Sequence, residues 1–248
     1  MQNVEVLKFQ QHSFVIVRKQ QRRSLMIKLH PDKPNQVLAN KTVSQKVIHD
    51  FLLSKASWID KNLKKIEEYR ATYKLPAFKE GEEFPFFGEM KYFALARTKN
   101  KKMRFQVEEG FLICYVPDDK PEWVSDFEKM QVELISFYKK EALKYLVFRG
   151  WELSQLTGLK PSDIKIQTAR TRWGSCNSQK IINLNWKLIV FAYRLIDYVI
   201  IHELCHLRHL DHSDAFWNLV AQHCPNYQDI QVSLKQQTTQ AAFLDRAI

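Results

Sequence analysis

The chain has 248 residues, enough for one large domain or two modest ones, and its 45% hydrophobic and 26% charged content is that of a folded globular protein, which excludes a disordered chain. No run of about 18 uninterrupted apolar residues occurs, which excludes a membrane-spanning helix. The net charge of +11, with basic clusters at 18–23, 61–65, 97–104 and 139–144, points either to a nucleic-acid partner or to a solvated basic surface.

Strand character dominates the first part of the chain. Alternation and turn punctuation predict short strands at Phe14–Val17 and Leu25–Leu29, then a turn over His30–Asn35. A helix is predicted from Val43 to Tyr69, capped by Ser44, with Val47, Phe51, Trp58, Ile59 and Leu63 as its apolar face. Strands return at 84–87, 91–97, 103–107 and 111–116, with Gly88 and Gly110 at turns. No internal repeat is legible. The cluster Pro117-Asp118-Asp119-Lys120-Pro121 reads as a boundary, giving an N-terminal β-rich domain over 1–119 and a second domain over 120–248. A long helix is predicted over 121–156, capped by Asp119 and ended by Gly158 and Pro161. Strands follow at 165–168 and 181–186, then a helix over about 194–208 and another from Ser213 to His223.

The four cysteines, Cys114, Cys176, Cys205 and Cys224, form no CxxC pair. The N-terminus lacks a basic region leading into an apolar stretch and a small-residue cleavage site. Reduced thiols and a cytoplasmic location are therefore expected.

The chemistry concentrates in Ile201-His202-Glu203-Leu204-Cys205-His206. Helical residues four apart stand about 40° apart around the axis and roughly 6 Å along it, so His202 and His206 point the same way and both imidazoles can reach one metal. Glu203, turned roughly 100° away, is badly placed as a ligand and well placed to take a proton from a water at the metal. The preceding segment, Leu195 to Ile201, is strongly apolar, where two histidines and a glutamate are costly unless a partner satisfies them. A third ligand is needed. His209 and His212 compete for that role. On a continued helix His202 and His209 would stand roughly 10 Å apart, too far for one zinc. The helix must end near Arg208, and a turn at Asp211 before Ser213 can swing His212 back. This predicts one zinc per chain on His202, His206 and His212, with Glu203 as general base.

Several segments around this motif carry a resemblance. Thr171-Arg172-Trp173-Gly174-Ser175-Cys176, Ile182-Asn183-Leu184-Asn185-Trp186, Ile196-Asp197-Tyr198-Val199, the HExxH segment, His212-Ser213 and Phe216-Trp217 are similar to the YgjP-like metallopeptidases, a group related to the SprT and WLM zincins. The resemblance is specific across 165–227 and looser through the N-terminal part. It implies an α+β fold in which the HExxH helix packs on a small sheet in a zincin-like domain. It implies the same three zinc ligands, with Glu203 catalytic, in a zinc metallopeptidase acting on proteins or peptides. Cys205 stands where alanine is more usual in the family, and its helical phase predicts inward packing.

Three readings stay open beside it. The 172–176 segment is either a substrate- or oxyanion-binding turn, with Arg172 stabilising transition-state charge, or a structural turn around a packed tryptophan. The strand 182–186 is either a sheet edge for an extended peptide or a core strand. Phe216 and Trp217 read as core packing. The charge and the SprT kinship together point to a protease acting on DNA-associated proteins. The rival is a non-catalytic, zinc-stabilised nucleic-acid-binding module, which would have no use for Glu203.

Overall fold

A computed structural model describes residues 5–20, 22–29, 34–72, 76–169 and 171–244. The predicted turn over His30–Asn35 lies mostly outside them. Two compact units are present, 1–74 and 75–248. This differs from the 119/120 boundary read from the sequence, and the cause is packing: Leu112, Cys114 and Val116, before that boundary, share one core with Met130, Leu134 and Tyr138 after it. The segment at 117–121 is a connection inside a unit.

In the first unit, β1 (Val6–Phe9), β2 (His12–Lys19), β3 (Met26–Lys28) and β4 (Asn35–Asn40) form a sheet in the order β1-β2-β4-β3. Its central pair, β2 and β4, is parallel, and both outer pairs are antiparallel. Two helices follow, α1 (Gln45–Ser54) and α2 (Ala56–Thr72), where the sequence reads as one. Ser44 caps α1 as expected, its side chain accepting from the Val47 N–H. The buried stripe is Ile48, Leu52, Ile59 and Leu63, whereas Val47 and Trp58 are exposed. Two adjacent apolar stripes run along this segment, and the sheet takes the one beginning at Ile48. With Phe14 and Val37 it makes this unit's own core.

The second unit repeats the arrangement. Strands β5 (Glu83–Phe86), β6 (Glu89–Thr98), β7 (Arg104–Glu108) and β8 (Phe111–Pro117) run in the order β5-β6-β8-β7, again with a parallel central pair and antiparallel outer pairs. The chain thus contains a repeated topology that its sequence does not display. After a 3₁₀ turn at Pro121–Ser125, α3 runs from Phe127 to Thr157. Its cap is Asp126, whose carboxylate accepts from the Lys129 N–H at 2.9 Å, and not Asp119; Gly158, left-handed at φ 70°, ends it. Met130, Leu134, Tyr138, Ala142 and Leu146 form its buried stripe.

A three-stranded sheet completes the unit: β9 (Asp163–Gln167), β10 (Gly174–Cys176) and β11 (Ile181–Asn185), in the order β10-β11-β9. As expected, α3 backs this sheet. Gly150 permits the approach, since a Cβ there would stand 2.8 Å from the Ile164 side chain. The strand predicted at 182–186 is β11, the central strand and not an edge, and β10 and β9 are the two outer strands. A buried 3₁₀ segment, Trp186–Val190, leads into α4 (Tyr193–Cys205), followed by α5 (Asp214–His223) and α6 (Tyr227–Gln237). Gly88 sits so close to Ala192, just before α4, that a Cβ would lie 2.6 Å from its Cα. Arg149 of α3 donates to both carboxylate oxygens of Asp197 on α4, at 2.8 and 2.7 Å. Among the described residues no helix is long and apolar enough to cross a membrane.

Candidate metal centre and active site

α4 ends at Cys205, three residues sooner than the sequence implies, and the chain turns over 206–208. Asp211 organises the next turn by accepting from the Ser213 hydroxyl at 2.8 Å and from its N–H at 3.3 Å. Ser213 occupies the N-cap position of α5, yet its side chain makes no capping bond, being engaged with Asp211. The reversal brings His212 onto the α4 histidines.

The ligand nitrogens of His202, His206 and His212 lie within 4.8 Å of one another. The Nε2 atoms of His202 and His212 are 3.1 Å apart. Two nitrogens bound tetrahedrally at about 2.0–2.1 Å from one zinc stand roughly 3.3 Å apart, so the spacing suits a shared cation. Burial, with His206 and His212 beside it, pushes His202 down to about 3, and burial lowers His206 too. Both are therefore neutral near pH 7, with a lone pair free to coordinate. His209 approaches the cluster differently: its backbone carbonyl lies 2.9 Å from His206 Nδ1, which leaves Nε2 of His206 for a metal.

Glu203 is only 6% exposed, and its Oε2 is the one buried side-chain polar atom without a hydrogen-bond partner among the described residues. Burial raises its pKa to about 8, against the opposing pull of the Arg172 guanidinium. A buried carboxylate oxygen without a partner, beside three imidazoles whose ligand atoms converge, fits a centre that holds a cation and a water. The donor set fits a borderline metal such as zinc.

These groups share a cleft of about 420 Å³ with Arg172, Trp173, Gly174, Tyr198 and Leu234. The 172–176 segment contributes both to the cleft and to the core. Arg172 lines the cleft, while Trp173 packs edge-on against Phe191 at 4.8 Å. Asn185 holds the loop, donating to the carbonyls of Ala169 and Arg172 at 2.9 and 3.0 Å. Gly174 lies against Glu203: a Cβ there would stand 2.5 Å from Oε1. Any side chain at 174 would displace the carboxylate.

Phe216 and Trp217 pack as expected, but around the histidines. Phe216 stacks on His206 at 4.5 Å, and Trp217 lies at 5.6 Å, nearly parallel, to His212. Cys205 is fully buried. The residues that sequence reasoning missed are Gly174, Tyr198, Gln231 and the His209 carbonyl. Gly174 and Tyr198 left a signal, each in a segment already singled out, and the other two left none.

The family model described as YgjP-like, metallopeptidase domain, matches residues 23–237. No curated protein matches the chain. Among solved structures, the metallopeptidase zymogen abylysin of Pyrococcus abyssi is 18% identical with a TM-score of 0.34, over 38% of this chain and 95% of that one. The zymogen jannalysin of Methanocaldococcus jannaschii is 21% identical with a TM-score of 0.34, over 38% and 96%.

Proposed function

The chain belongs to the YgjP-like metallopeptidase family, and on that premise we propose that it is a zinc-dependent peptidase with His202, His206 and His212 as ligands and Glu203 as general base. The observation that carries this reading is the convergence of three imidazoles within 4.8 Å beside a buried glutamate that has an unpartnered oxygen. When bound, zinc supplies Lewis acidity to the scissile carbonyl and lowers the pKa of water at the site.

The chain's own residues do the rest. Glu203 takes the proton of the attacking water and returns it to the leaving amine. Its position between Gly174 and the histidines fixes that carboxylate, and the raised pKa brings it nearer neutrality, where a proton is both accepted and released. Arg172 supplies positive charge to the cleft and stabilises the anionic transition state. The outer edge of β10 offers an extended substrate a strand to pair with, bringing a peptide carbonyl past Glu203. Among the described residues the cluster has three protein donors rather than four, which supports an open coordination position and hence catalysis over a purely structural metal site.

The net charge of +11 supports a narrower version, in which the substrates are proteins associated with DNA. The test is a comparison of cleaved proteins in one lysate treated with the wild type and with Glu203→Gln. New N-termini produced only by the wild type support the reading, and their enrichment in DNA-bound proteins supports the narrower version. Identical fragment patterns for both proteins contradict it.

A further inference from the structure

Helix α6 stands behind the histidines and takes no part in the mechanism above. Its residues 227, 231 and 234 fall at i, i+4 and i+7, on one helical face. That face meets the site at three points. Tyr227 stacks on Trp217 at 5.2 Å and 13°, and Trp217 in turn lies against His212. Gln231 donates through Nε2 to the Tyr198 hydroxyl at 2.8 Å, and that hydroxyl lies 3.5 Å from His202 Nδ1. Leu234 lines the cleft.

The proton arrangement follows from geometry. If the Nε2 atoms of His202 and His212 face one cation, each presents a lone pair there, and the His202 proton sits on Nδ1. The acceptor within reach is the Tyr198 oxygen. Gln231 fixes that oxygen, so the tautomer and the ring orientation of His202 depend on a residue of α6. The aromatic stack does the equivalent work for His212 by limiting ring rotation. Groups that hold a ligating imidazole by its far nitrogen typically contribute 10–100-fold to metal affinity.

We infer that α6 is a working part of the metal centre, with Gln231 and Tyr227 as positioning residues that hold His202 and His212 in ligating orientation. The inference rests on the metal-binding reading proposed above. It assigns α6 a function that is separate from capping the core.

The experiment is a zinc titration of the full chain, stripped of metal, against a chromophoric chelator. Gln231→Leu should bind zinc on the order of 10–100-fold more weakly than wild type. Tyr198→Phe, which removes only the hydroxyl, should weaken it similarly, and Tyr227→Leu should weaken it by a smaller factor. Gln231→Glu should retain affinity, because Tyr198 can donate to the carboxylate while still accepting from His202. Gln228→Leu, at an exposed position of the same helix, should match wild type. With cobalt in place of zinc, the visible absorption of the tetrahedral ion should change in Gln231→Leu and not in Gln228→Leu. Equal melting temperatures of the metal-free proteins would show that the fold is intact; if Gln231→Leu does not fold, Tyr198→Phe against Gln228→Leu decides. Wild-type affinity in Gln231→Leu and Tyr198→Phe, or equal loss in Gln231→Leu and Gln231→Glu, would overturn the inference alone. A wild type that takes up no zinc would overturn the metal-binding reading, and this inference with it.

Discussion

Two four-stranded sheets in this chain share one strand order and one set of strand directions, yet among the described residues only the unit containing the second holds a candidate site. The difference lies in the helices that succeed each sheet. After the first come two helices of 10 and 17 residues that bury Ile48, Leu52, Ile59 and Leu63 in a self-contained core. After the second comes one helix of 31 residues, roughly 46 Å at 1.5 Å per residue. Strands of 4 to 10 residues do not use that length. The surplus reaches β9 through Gly150 and α4 through the Arg149–Asp197 pair. The same topology is a closed module in one unit and a platform in the other, and helix length decides which.

Substitutions in the two units should therefore read out differently. The largest effect is expected at Glu203. Glu203→Gln should keep zinc and fold and lower the hydrolytic rate by about 10²–10⁴-fold, measured as kcat on a cleaved peptide. Gly174→Ala comes next. The added methyl must push the Glu203 carboxylate aside, and misplacement by about 1 Å costs on the order of 10²-fold, so kcat should fall by roughly that factor with zinc content unchanged. A Gly174→Ala enzyme as fast as wild type would show that the close approach is without consequence.

The cores separate the units more directly. Leu52→Ala and Leu146→Ala both empty fully buried positions, and each should cost about 2–5 kcal/mol in denaturant unfolding. The second should also weaken zinc binding, because α3 packs against α4 within the same unit, and the first should leave it unchanged. Equal losses of zinc affinity would dissolve the contrast between the units.

Legibility in the sequence divides along the same line, between local and non-local physics. His202, Glu203 and His206 were legible because their geometry is fixed within one helical turn. His212 was legible because a straight helix cannot bring His209 to the same metal. The outer edge of β10 was not, since a strand of three residues is too short to show a period, and the alternation of 182–186 drew attention to its neighbour β11 instead. The break at Lys55 carries no proline or glycine. The unit boundary was hidden because a Pro- and Asp-rich connection at 117–121 looks the same whether it joins two units or crosses one core. Gln231 and Tyr227 act through contacts that no sequence spacing announces.

A smaller effect concerns pH in the metal-free protein. Glu203 has its pKa raised by burial, so between its ordinary value near 4.5 and about 8 the folded chain holds a proton that the unfolded chain has lost. Stability from this group is therefore present at low pH and declines as pH rises through that window. The melting temperature of the stripped wild type should fall with pH across it more than that of stripped Glu203→Gln. Parallel curves would show that the carboxylate is not held protonated.

The central claim is that three histidines from α4 and the turn after it converge on one zinc. Zinc titration of His212→Ala and His209→Ala, each stripped of metal, tests it most directly. His209 contributes only a backbone carbonyl, at 2.9 Å from His206, whereas His212 presents its Nε2 3.1 Å from that of His202. His212→Ala should lose affinity by several orders of magnitude, and His209→Ala should bind nearly as tightly as wild type. The reverse pattern, or undiminished binding by His212→Ala, would contradict the assignment of the site.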